Sequence, residues 1–115
     1  MMISRENLEK EFVSLVGQYY PKAGEVIDQC YVKIVECCLQ RSRKPIYYIA
    51  VYYPKEIARE VLAQQDVFKE IAENMGLTEA VCLNASHLVR DPMSGLKDKD
   101  ARLWLELHWV ATRSQ

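Results

Sequence analysis

Residues 44–76 read KPIYYIAVYYPKEIAREVLAQQDVFKEIAENMG, and their interpretation decides the fold. From Ile46 to Tyr53 every side chain is apolar or aromatic. A run of this kind leaves no polar face for water, which is the pattern of a strand covered on both sides and central in its sheet. Pro45 and Pro54 bracket it. Proline donates nothing to a β-ladder, so both belong at the strand's ends, and Pro54 suits the first turn of a following helix. Beyond it, Ile57, Val61, Leu62, Phe68, Ile71, Ala72 and Met75 recur near one face, with Lys55, Glu56, Arg59, Glu60, Lys69, Glu70 and Glu73 opposite. That 3.6-residue period predicts a single helix. A break with a fresh cap at Asp66 is the alternative, because Gln64 and Gln65 interrupt the apolar stripe. Gly76 is the natural helix stop, with Leu77 placed for the hydrophobic contact of a Schellman motif.

Upstream, Ser4 is placed to cap a first helix, with Ile3 and Leu8 at the positions of a hydrophobic staple. The capping box is incomplete, since Asn7 stands where Glu or Gln would complete it. Leu8, Phe12, Leu15, Val16 and Tyr19 form the apolar stripe, and Pro21 ends it. Segment 24–40 supports two readings. Tyr31-Val-Lys-Ile-Val35 alternates and is β-rich, and as a strand it would form a hairpin with 45–53 around residues 41–44. The polar positions Glu25, Asp28, Gln29, Lys33, Glu36 and Gln40 recur every three or four residues, however, and that spacing predicts a second helix.

Downstream, residues 80–89 read as a strand, reached through a helix and therefore parallel to the central one. A polar loop over 90–100 carries Pro92 and Gly95 as turn formers. The last stretch alternates: Leu103, Leu105, Leu107 and Trp109 against Arg102, Trp104, Glu106 and His108. Alternation of this kind predicts a final half-buried strand hairpinned to the one before it.

The expected architecture is a single domain over residues 1–115, an α/β or α+β fold in the order α-α-β-α-β-β around a small mixed sheet of about three strands. If 24–40 is a strand, the order becomes α-β-β-α-β-β and the sheet gains a fourth. A chain of 115 residues can build a core without disulfides or metals. Lys and Arg number 15 against 16 for Asp and Glu, so no bulk positive field exists for nucleic acid or anionic membrane. The polar N-terminus lacks the apolar core of a signal peptide, and no run is long enough to span a bilayer. With Cys30, Cys37, Cys38 and Cys82 unsuited to a disulfide framework, a cytoplasmic protein with reduced, core-facing thiols is expected.

Three sets of residues stand out functionally. The outward face of the expected last strand, Arg102, Trp104, Glu106 and His108, combines aromatic and cationic groups as interface hot spots do. It suggests a protein-binding domain, either a homodimer or an adaptor or regulatory subunit, contacting its partner there or through a sheet edge. Coverage of that face by an N-terminal helix would instead make Trp104 a core residue. The second set is His87, Glu106 and His108, with Cys82 or Asp91 nearby, which could ligate a metal or supply an acid–base pair in a small enzyme. No metalloprotease, paired-cysteine, phosphate-loop or nucleophile-elbow motif supports it, two histidines exclude a three-histidine site within one chain, and no cofactor is implied. The third is a basic knot, Arg41, Arg43 and Lys44, beside Tyr47, Tyr48, Tyr52 and Tyr53, a composition used to bind RNA or single-stranded DNA. Asp91, Asp98 and Asp100 do not match a calcium loop, and Lys97 and Lys99 oppose a cation.

Overall fold

The computed structural model describes residues 4–37, 45–91 and 95–113. In chain order they form α1 (Arg5–Tyr19), α2 (Pro21–Ile27), β1 (Tyr31–Cys37), β2 (Ile46–Tyr53), a 3-10 turn (Lys55–Ile57), α3 (Ala58–Ala63), α4 (Gln65–Asn74), β3 (Ala80–Asn84), α5 (Ala85–Arg90), α6 (Leu96–Lys99) and α7 (Ala101–Arg113). The fold is a mixed α/β domain. Its three-stranded sheet has the order β1-β2-β3, with β1 antiparallel and β3 parallel to β2.

β2 is central and covered on both sides, as its unbroken apolar run requires; Ile49, Ala50 and Val51 are wholly buried. Its side chains alternate between two cores. Ile49, Val51 and Tyr53 join Val32 and Ile34 of β1 against Phe12 and Val16 of α1, Val61 of α3 and Phe68, Ile71 and Ala72 of α4. Ala50 and Tyr52 join Ala85 of α5 and Leu107 and Val110 of α7 on the other face. The sheet is therefore the middle layer of three, with α1–α4 above it and α5 and α7 below.

Local chemistry explains several boundaries. Ser4 caps α1, its Oγ accepting the Asn7 N–H at 3.1 Å. After α4 the Gly76 N–H donates to Glu73 and the Leu77 N–H to Ala72, at 3.0 and 2.9 Å. Gly76 has φ +84°, and Leu77 joins the upper core, which completes the expected Schellman stop. α1 and α2 cross so closely that a Cβ on Gly24 would lie 2.6 Å from the Gly17 Cα. Only hydrogen fits there.

Four expectations are corrected. Segment 24–40 is not one helix: α2 ends at Ile27 and β1 pairs with β2 through Tyr31↔Tyr52 to Cys37↔Ile46. The three-to-four spacing of its polar residues came from joining a short helix to a strand, and β-branched Val32, Ile34 and Val35 gain more by pairing with β2 than from helical propensity. Cys30 consequently lies in the turn before β1, half-buried, its Sγ 3.4 Å from the Val26 carbonyl oxygen. The 55–75 helix breaks at Gln64, where two glutamines occupy positions of the inward stripe. The strand expected over 80–89 ends at Asn84, whose Oδ1 accepts the His87 N–H at 3.0 Å and starts α5. The last segment is a helix, not a strand. Asp100 Oδ1 accepts the Leu103 N–H at 3.1 Å, a cap that the alternation of large residues masked. Residues 38–44, with Cys38 and the basic knot, lie outside the described residues, as does Pro92.

Candidate interaction face on the last helix

α7 packs under the sheet with Leu107, Val110 and Ala111, which are 0%, 4% and 7% exposed. Leu103 adds to the same stripe. Positions 103, 107, 110 and 111 are one helical face, so the opposite face centres on Leu105 and Trp109. These two are 60% and 62% exposed and four residues apart, hence neighbours on the helix surface. The strand reading had placed them in the core with Leu103 and Leu107. A 100° rather than a 180° step turns them outward.

The same rotation divides Arg102, Trp104, Glu106 and His108 into two pairs. Trp104 and His108 share one flank, their rings stacked at 5.2 Å and 12°. The Lys97 ammonium sits 5.2 Å from the Trp104 ring centre, a cation–π contact. Trp104 is thus half-buried and engaged within its own chain, while His108 is exposed. Arg102 and Glu106 share the other flank, facing Tyr31 of β1. Burial pushes the Tyr31 hydroxyl pKa up, the Glu106 and Glu9 carboxylates push it further, and Arg102 opposes them. Arg102 also borders an open cleft of about 680 Å³ between α1, β1 and α7, lined with Glu6, Glu9, Lys10 and Asp28.

The edge of β1 beside this cleft is guarded. Glu9 Oε1 accepts the Ile34 N–H at 2.9 Å, and Arg5 bridges Glu36 at 2.6 Å. A carboxylate seated on an outward amide leaves less of the edge open to a second strand.

His87 is exposed on α5, and His108 is exposed on α7. Among the described residues no group of three or more His, Cys, Asp or Glu side chains is gathered closely enough to hold a metal ion. Cys82 lies on β3, its thiol pushed up to about 11 by burial, with a hydrogen bond to Gln65 pulling the other way. A thiol so shifted is a weak nucleophile near neutrality. Asp100 forms an ion pair with Lys33 across 3.6 Å, and Asp98 lies exposed in α6.

The β2 tyrosines divide two and two between the faces of the sheet. Tyr47 and Tyr53 pack in the upper core, and Tyr48 and Tyr52 in the lower. Tyr52 and Tyr53 are 7% and 9% exposed, and Arg5 lies over the Tyr47 ring at 5.6 Å. Helices cover both faces, so these rings do not form an open stacking platform.

No helix among the described residues is long and apolar enough to cross a membrane. Comparison of the chain with protein-family models, curated proteins and solved structures finds no match.

Proposed function

We propose that the chain is a protein-binding domain, a homo-oligomer or an adaptor, whose contact surface is the outward face of α7. One observation supports this reading above the others: the Leu105–Trp109 pair, more than half exposed, at the centre of a helix whose other side is buried. A single exposed apolar residue is ordinary. A leucine and a tryptophan one turn apart form an anchor of the kind a partner's apolar groove receives, and tryptophan is enriched at binding hot spots. His108 and Trp104 on one flank and Arg102 on the other supply a mixed rim.

The test is retention of proteins from an extract of the source cells on the immobilised chain, further copies of itself included. Wild type should hold a set that the Leu105→Ser/Trp109→Ser variant loses while keeping the wild-type circular dichroism spectrum. An identical set on both would overturn the assignment. Trp104→Ala is expected to weaken retention less, because that ring is engaged within its own chain.

A further inference from the structure

On the far side of the sheet from α7, helices α1 and α4 frame a groove of about 730 Å³. Leu8 and Leu15 contribute to it from α1, Ile71 from α4 and Met75 from the cap that follows α4, and Tyr19, 63% exposed, stands at one end. Among the described residues its charged lining is acidic, Glu11 and Glu70, with no lysine or arginine. Glu70 is held by the Tyr20 hydroxyl, which donates to its Oε2 at 2.8 Å. An occupant suited to such a groove is an apolar helix face with cationic flanks.

α7 offers an apolar face with a cation on one flank. Its outward Leu105 and Trp109 are flanked by exposed Arg102, which makes no ion pair among the described residues. The one acidic residue of α7, Glu106, is half-buried. Arg102 and Arg113 leave the helix net positive in sequence. The two surfaces lie on opposite faces of the sheet, so one chain cannot bring its own together.

We infer that the groove between α1 and α4 receives the Leu105–Trp109 face of α7 from a second copy of this chain. The contact is head-to-tail: each copy offers one groove and one ridge, and assembly continues until a ring closes or a filament grows. The inference rests on the proposed role of the α7 face and names its partner.

Sedimentation velocity across a concentration series tests it with two variants made only at exposed positions, so that folding is preserved and checked by circular dichroism. One removes the ridge, Leu105→Ser/Trp109→Ser. The other blocks the groove, Tyr19→Glu/Glu11→Lys. Wild type is expected to associate as concentration rises, and each variant alone to stay monomeric. An equimolar mixture should form a two-chain species and stop there, because only one ridge and one groove remain intact. Arg102→Glu should weaken wild-type association about tenfold, and Glu11→Lys in the same chain should restore it. A groove variant that associates like wild type would overturn the inference in favour of a ridge-to-ridge contact. So would a charge pair without rescue. A wild-type chain monomeric at every concentration overturns it too, while retention of a different protein through Trp109 would leave the role of the α7 face standing.

Discussion

At the scale of single residues, the structure depends on a few contacts that tie distant parts of the chain. Glu9 accepts the Ile34 N–H, linking α1 to the edge of β1. Glu9→Ala removes a charged acceptor from a part-buried amide and should cost about 1–3 kcal/mol in urea unfolding. Gly24→Ala places a methyl against the Gly17 backbone and should destabilise by about 1–3 kcal/mol, the ordinary cost of overpacking. Gly17→Ala meets nothing closer than 3.9 Å and should be far milder. The Cys82 thiol, pushed up to about 11, should react with iodoacetamide at pH 8 about tenfold more slowly than an unshifted thiol, its much smaller thiolate fraction being partly offset by the greater nucleophilicity of a more basic thiolate. Reaction at the rate of a free peptide thiol would contradict its burial. Of these residues, only those acting on their immediate neighbours were legible in the sequence. Gly76 and Ser4 work within a turn of chain, so spacing reveals them. Glu9 acts across 25 positions and Gly24 by helix crossing, and neither leaves a local signal.

At the scale of elements, the decisive feature is that α7 is a helix. Leu107→Ala should cost about 2–5 kcal/mol, because that side chain is wholly buried under the sheet. Leu105→Ala should stay within about 0.5 kcal/mol. A strand would make the two costs alike, so the difference in urea midpoints separates the structures. Asp100→Ala should remove the cap of α7 at about 1 kcal/mol. The sequence misled here because Leu103, Leu105, Leu107 and Trp109 satisfy a period of two, while 103 and 107, and 105 and 109, are also helical neighbours. Val110 and Ala111, just beyond the alternation, carried the arbitrating signal: a helix buries them and an ending strand does not. Segment 24–40 failed for the opposite reason, since a helical count ran across the α2–β1 turn. β2 was read correctly because no other structure suits eight apolar residues between two prolines.

At the scale of the whole molecule, the three layers place titratable groups where ionisation opposes folding. Burial raises the Tyr31 and Tyr52 hydroxyls above 10.0 and the Cys82 thiol above 9.0. A group whose pKa is raised in the folded chain contributes stability that is fully present below its unfolded pKa and lost as pH rises through the folded one. Urea midpoints should therefore hold up to about pH 9 and fall between pH 9 and 11 and beyond; a midpoint that rises there would contradict the burial of these groups. The proposed contact surface is only partly legible in the sequence. Arg102, Trp104, Glu106 and His108 stand out in the sequence for aromatic and cationic content, yet the helical rotation moves the exposed centre from Trp104 to Leu105 and Trp109. The groove between α1 and α4 could not be read at all, because it exists only once two helices 50 residues apart meet, as the Tyr20–Glu70 bond records. The central claim is that the outward face of α7 is open in the single chain and covered on association. Acrylamide quenching of Trp109, in a Trp104→Phe chain, addresses it most directly. The expected result is strong quenching in dilute monomer that falls as the chain associates or takes up a retained partner. A Trp109 already shielded in the monomer, or equally quenched in the assembled state, would contradict the claim.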